Sequence, residues 1–220
     1  MNRTETYAGL IHDLRSAYDR TAAERDLYEK EEWKLVERRR FLDRLRQERK
    51  SRLLEVGAGT GQDSIFFQEN GLAVVATDPS PGMVERCRMK GLEAYVMDVQ
   101  GLSFPPESFD AAFALNCLLH VPNAEMDAAL EAIQVPLAPG ALLYVGVYGG
   151  ADVEGVLADD WHEPKRFFSF RSNENLVRMV EPRFEIVDFH VVPTGKRLFQ
   201  ALTLRRFKKR TRATCKDERP

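Results

Sequence analysis

The stretch LLEVGAGTGQDS, residues 53–64, places Gly57, Gly59 and Gly61 directly behind an apolar run. Glycine adopts positive φ and allows close backbone approach at little steric cost, so the run reads as a strand ending in a tight turn. GQDSIFFQEN continues in a helical pattern up to Gly71. The turn therefore delivers a helix N-terminus, whose free N–H groups and partial positive charge receive an anion or a carboxylate. A glycine turn alone is weak evidence; the rest of the chain gives it context.

From Arg52 onward, β-rich runs alternate with helical stretches. The runs are RLLEV (52–56), AVVATD (73–78), EAYVMD (93–98), FDAAFAL (109–115), ALLYVGVY (141–148), FEIVDFHVV (184–192) and LFQALTLRRF (198–207). PGMVERCRMK, ending at Gly91, and NAEMDAALEAIQVPL, before APG, supply further helices. Such alternation predicts a doubly wound α/β sheet, parallel over its first five strands, with helices on both faces. Only PTGKR joins the last two runs. That is too short for a parallel crossover, so they should form an antiparallel hairpin.

The next strand tips are acidic. Asp78 ends the second run about twenty residues after the glycines, where a carboxylate accepts from both hydroxyls of a ribose. Asp98 is expected at the end of the third run, and in an open sheet these tips share one crevice. A dinucleotide fingerprint would need its third glycine at position 62, which is Gln62 here. Glu55 also adds like charge beside any pyrophosphate, so an NAD-dependent dehydrogenase is disfavoured and a cationic ligand is favoured.

On these motifs the chain resembles the class I S-adenosylmethionine-dependent methyltransferases, in their quinone-biosynthesis-like and natural-product tailoring branches. EVGAGTG is similar to their first motif, TDPSPGMVERC to the acidic second-strand segment, and MDVQGLSFPPESFDAAFALNCLLHV to strands three and four. LAPGALLYVGVY resembles the segment that includes strand five. The resemblance covers about residues 50–205. It implies a Rossmann-like seven-stranded sheet, mostly parallel with a C-terminal antiparallel hairpin.

Carried over residue by residue, it implies that the backbone at Gly57, Ala58, Gly59 and Gly61 approaches the methionine half of S-adenosylmethionine, and that Glu55 faces its ammonium. Asp78 would hold the ribose, Pro79 and Met83 would flank the adenine, and Asp98 with the Val99 backbone would meet its amino group. Leu115 and Asn116 would sit near the cofactor's amino and sulfonium groups. S-adenosylhomocysteine would be the product, and the acceptor a small organic molecule methylated on O, N or C.

Composition bounds the alternatives. The chain has 220 residues, 44% hydrophobic and 30% charged, as an ordinary globular protein does. No apolar run is long enough for a membrane span or a signal peptide, which makes a cytoplasmic protein the expectation. Cys87, Cys117 and Cys215 are dispersed and odd in number, and the four histidines lack ligand spacing, so neither disulfides nor a metal are expected. Residues 51–204 carry 11 Lys/Arg against 21 Asp/Glu. That acidic balance repels a phosphate backbone, so nucleic acid is a poor partner. An RNA- or protein-directed methyltransferase using the basic tail, and a non-catalytic regulatory binder of the cofactor, are the alternatives.

Residues 1–50 read as helical, with Leu35, Phe41, Leu42 and Leu45 as the apolar face, and resemble a lid carrying Tyr18, Tyr28 and Trp33. Residues 51–207 are the expected cofactor-binding domain, and 208–220 a disordered basic tail. Asn116 opens NCLLHV, without the two prolines and aromatic of base-amine methyltransferases. His120, four residues on, is the candidate general base, with packing as the alternative. His162, Trp161, Phe167, Phe168 and Phe170 are candidates to border an acceptor or to fill the core, and Arg166 and Arg171 to pair with an acid. A monomer or a homodimer is expected.

Overall fold

The computed structural model describes residues 6–194 and 197–208. Two helices, α1 (Tyr7–Arg25) and α2 (Glu32–Gln47), precede β1 (Arg52–Val56), α3 (Gln62–Glu69), β2 (Ala73–Asp78), α4 (Pro81–Met89), β3 (Glu93–Val96) and β4 (Phe109–Leu115). Then follow α5 (Met126–Gln134), β5 (Leu137–Gly149), β6 (Val153–Val156), β7 (Phe167–Phe170), α6 (Asn173–Val180), β8 (Phe184–Pro193) and β9 (Leu198–Arg206).

Seven strands form one sheet in the order β3-β2-β1-β4-β5-β9-β8. The first five are parallel, and β9 inserts antiparallel between β5 and β8, so the expected hairpin closes the sheet. The chain leaves β1 toward β2 on one side and returns to β4 on the other. That reversal opens a crevice at the carboxyl ends of β1 and β4.

The central strands are continuous apolar runs because both faces are covered. Leu54, Ala112 and Leu143 face a core closed by α5 and α6. Leu53, Phe113 and Tyr144 face another closed by Phe41, Leu42 and Leu45 of α2 and Phe67 of α3. In α5 the buried residues Met126, Ala129, Leu130 and Ile133 recur at helical spacing, the apolar stripe of an amphipathic helix. Ser80 caps α4 by accepting from Met83 N at 3.1 Å, with Pro81 in the first turn.

The sequence-based reading differs in three places. β3 stops at Val96, so Asp98 lies in the following turn, where its Oδ1 accepts from Gln100 N and Gly101 N at 2.9 and 3.1 Å. β5 begins at Leu137 and absorbs APG. The segment after β5 holds a separate antiparallel pair, β6–β7, in which Phe168 and Phe170 stack on one another. Two strands of four residues, one exposed along most of its length, carry too little alternation to be read from sequence.

The first fifty residues divide in role. α2 belongs to the core, whereas α1 lies on α4 and reaches the crevice: Asp19 accepts from Ser80 Oγ and, at 2.8 Å, from Gly82 N, and Arg15 donates to Pro79 O at 2.8 Å. Apart from Lys208, the basic tail lies outside the described residues, as does Cys215. Among the described residues no helix is long and apolar enough to cross a membrane, and no group of His, Cys, Asp and Glu is placed to hold a metal.

Candidate active site

β1 ends at Val56, and the chain turns through Gly57 at φ 71°, Gly59 at 56° and Gly61 at 81°. A side chain at Gly57 would meet the Cβ of Cys117 at 2.4 Å, so the β1 turn and the β4 tip touch backbone to side chain. Gly59 N donates to Asp78 Oδ2 at 2.9 Å, tying the turn to the end of β2. Gly61 does not line the crevice. Its Cα packs against Leu92 and Cys87 at the start of α3.

The crevice has two lobes that meet at Arg25, Gly57, Gly59, Leu115 and Asn116. One lobe contains Asp78, Pro79, Met83, Asp98 and Val99, roofed by Leu14 and Tyr18 of α1. The other contains Glu55, Ala58 and Thr60 beneath residues 27–31 of the α1–α2 link. Every predicted cofactor residue except Gly61 therefore lines one crevice.

Burial strongly perturbs two of its acids, Asp78 and Glu55. Asp78 is buried, and burial raises its carboxyl from 3.8 to about 6, against the pull of N–H groups from Ser80 and Gly59. Burial, with the nearby Asp63 carboxylate, pushes Glu55 well above the usual range; Ser64 Oγ donates to it from the first turn of α3. Asp98 takes a 3.4 Å bond from Tyr7 on α1 through the same oxygen that holds its turn.

Asn116 adopts φ 57°, unusual for a residue with a side chain, and its Oδ1 is buried without a partner. Its backbone N is fixed to Gly146 O at 2.7 Å. An orphaned acceptor at a strand tip is what a ligand's donor would satisfy.

His120 is buried on the short turn after β4, and burial drives its imidazole down to about 3. Nδ1 lies 2.8 Å from Phe167 O, so Nδ1 carries the proton and Nε2 accepts, at 2.9 Å, from the Tyr18 hydroxyl. Arg166 donates to the Tyr18 oxygen at 3.0 Å and is itself clamped by Asp160. Tyr18 and His120 both line the crevice, whereas Arg166 stands behind them.

The remaining candidates fall outside the crevice lining. Trp161 is largely exposed and packs over buried His162, whose Nε2 has no partner. Phe167, Phe168 and Phe170 belong to the β6–β7 pair. Arg171 is fully buried and donates to the carbonyls of Leu118, Val121 and Ser169 and to Asn123 Oδ1, gripping the turn that bears His120. Sequence reasoning missed Arg25 and the pairing of Tyr18 with His120; a helix-borne residue without a motif gives no local signal.

Comparison with known proteins bears on the family. Over 120 residues, 53% of this chain and 48% of that protein, the chain is 31% identical to a demethylmenaquinone methyltransferase of Tropheryma whipplei (strain Twist). It thus spans about half the length of that curated relative. The crystal structure of Burkholderia thailandensis 1,6-didemethyltoxoflavin-N1-methyltransferase, with bound 1,6-didemethyltoxoflavin and S-adenosylhomocysteine, superposes with a TM-score of 0.73 at 23% identity, covering 89% of this chain and 88% of that one. The DhpI–SAH complex does so with a TM-score of 0.66 at 25% identity, covering 92% and 99%. Residues 28–183 match the family model described as a methyltransferase domain. With that match spanning well over half of the chain, the protein belongs to the methyltransferase domain family.

Proposed function

We propose that the protein transfers a methyl group from S-adenosylmethionine to an O, N or C atom of a small organic molecule, leaving S-adenosylhomocysteine. The observation that carries this reading is the convergence, around the bare backbone of Gly57 and Gly59, of Glu55, Asp78 and the unpartnered Asn116 Oδ1. Those groups suit a nucleoside with a cationic amino-acid arm: Asp78 for ribose hydroxyls, Glu55 and Asn116 for an ammonium, Met83 and Val99 for the adenine faces. The cofactor supplies an already activated methyl. The chain's own task is then to hold a nucleophile in line and to exclude water.

On the acceptor side stand Tyr18 and His120. His120 holds the Tyr18 hydroxyl as donor, and Arg166 occupies one lone pair of its oxygen, which leaves the other for a donor on the acceptor. The acceptor is a small molecule of the kind named for the relatives. The acidic main domain disfavours RNA, and the free thiols Cys87 and Cys117 fit a reducing cytoplasm.

In this reading α1 and the link 26–31 form the lid, while α2 belongs to the sheet domain. Calorimetric titration with S-adenosylmethionine and S-adenosylhomocysteine tests the reading, Asp78→Ala being the control that should lose binding. No binding by the intact protein would overturn it. Removal of residues 1–32 should abolish turnover and leave the sheet folded by circular dichroism; full turnover would remove the lid from the mechanism.

A further inference from the structure

The Tyr18 oxygen lines the crevice with its proton and one of its lone pairs already committed. The proton goes to Nε2 of His120 at 2.9 Å, and Arg166 Nη1 donates to the oxygen at 3.0 Å. Neither neighbour is free to leave. His120 Nδ1 lies 2.8 Å from Phe167 O, which keeps Nε2 an acceptor, and its ring packs 4.8 Å from that of Phe168. Asp160 takes the Nε, Nη2 and backbone N–H groups of Arg166 at 3.0, 2.7 and 2.8 Å, which leaves Nη1 for Tyr18. The Tyr18 ring meets the rings of His120 and His162 edge-on, each at 5.8 Å, and Arg20 ties the same part of α1 to Glu163 O at 2.8 Å.

The lone pair that remains can only accept. An anionic nucleophile, such as a phenolate or an enolate, finds no proton there, because turning the Tyr18 hydroxyl toward it would strand the buried Nε2 of His120. A neutral alcohol is received but not activated. Its proton would have to pass through Tyr18 to His120, whose imidazole is driven down to about 3 by burial and further disfavoured as a cation by Arg166. A neutral amine meets both demands, since it holds a hydrogen to donate and a lone pair to attack with. Alkylamines arrive at neutral pH as ammonium ions without that lone pair, whereas aryl amines do not.

We infer that the acceptor is an aryl or heteroaryl amine, whose N–H is donated to the Tyr18 oxygen while the lone pair of the same nitrogen faces the methyl group. Leu14, Leu115 and Val121 line the same lobe as Tyr18 and suit the faces of a flat ring. Transfer forms the N–C bond and breaks the C–S bond, whose electron pair stays on sulfur. The methylated nitrogen, now cationic, keeps its hydrogen bond to Tyr18 and yields its proton to water on release. This rests on the proposed methyl transfer and narrows its acceptor atom from O, N or C to N.

Three rings of like shape probe the site in protein saturated with S-adenosylhomocysteine: 4-nitroaniline, nitrobenzene and, above its own pKa, 4-nitrophenolate. Ligand-observed NMR titration of the wild type should show 4-nitroaniline binding about 5- to 10-fold tighter than the other two, as one hydrogen bond provides. Tyr18→Phe should remove its advantage over nitrobenzene. His120→Phe frees the Tyr18 proton and should raise the affinity for 4-nitrophenolate, which a packing role for Tyr18 would not produce; if that variant misfolds, the Tyr18→Phe comparison decides. With S-adenosylmethionine, 4-aminophenol carries both candidate atoms on one ring and should be methylated at nitrogen. Methylation at its oxygen, no methylation of it, or equal affinity for the three rings in the wild type would each overturn the inference. Failure of the wild type to bind S-adenosylhomocysteine would instead overturn the cofactor reading.

Discussion

The Tyr18 hydroxyl donates to Nε2 of His120 across 2.9 Å, joining residues 102 positions apart in the chain. The direction is set from behind, because the Phe167 carbonyl can only accept and so holds the proton of His120 on Nδ1. Burial works to raise the Asp160 carboxyl, but bonds from Arg166 outweigh it and hold it well below the usual range, keeping the Arg166 clamp charged.

His120 is therefore expected to stay neutral, as the Nδ1–H tautomer, down to about pH 4, given burial that takes it to about 3. Long-range nitrogen–proton NMR of the imidazole checks this. An imidazolium at pH 6 would refute the tautomer assignment and restore His120 as an ordinary surface-like base.

Cofactor binding should release protons. Glu55 is held up by burial and Asp78 is raised to about 6, and a ligand ammonium favours both carboxylates. Affinity for S-adenosylhomocysteine should rise with pH, by at most about tenfold per unit for each group. Titrations in buffers of different ionisation enthalpy measure the released protons; uptake instead of release would contradict the assignment.

Apo stability should carry the sign of Asp78. Its folded value of about 6 exceeds the ordinary 3.8, so the folded state binds the extra proton between these values. Its contribution is present below about pH 4 and falls away as pH rises to about 6, amounting to about 3 kcal/mol at most. Urea unfolding of wild type and Asp78→Asn should differ in slope across that window. Parallel curves would mean that Asp78 is not raised.

Gly57→Ala should destabilise the fold by roughly 2 kcal/mol or more and abolish cofactor binding, since positive φ and the Cys117 Cβ both oppose a side chain. Cys117→Ala keeps the offending Cβ and should not rescue it, whereas Cys117→Gly should restore part of the stability. Rescue by alanine in thermal melts would show that the sulfur, not the Cβ, is the obstacle.

Arg171→Met should cost on the order of 3 kcal/mol, because three carbonyls and the Asn123 oxygen lose a buried donor. Arg171→Lys restores the charge but not the fork and should recover only part. A methionine variant as stable as wild type in urea would mean that the turn bearing His120 is held by other contacts.

Much of the crevice was legible because its residues sit at strand tips. RLLEV followed by glycines, and AVVATD ending in Asp78, declare strand, turn and carboxylate within a few residues. Asp98 was displaced from its expected strand end because β3 is a short edge strand, and Gly61 proved to serve helix packing. The aromatic segment around Trp161 left two readings open for a different reason: clusters such as FFSF look alike whether they line a pocket or stack within a hairpin.

By itself, the sequence determined the alternation of strands and helices, the closing hairpin and the acids that border the glycine turn, since these follow from local periodicity and backbone sterics. Tertiary structure alone decided that α1 crosses the crevice while α2 joins the core, and that Tyr18 meets His120. Those outcomes depend on which distant side chains packing brings within a few ångströms, and no local pattern encodes that distance.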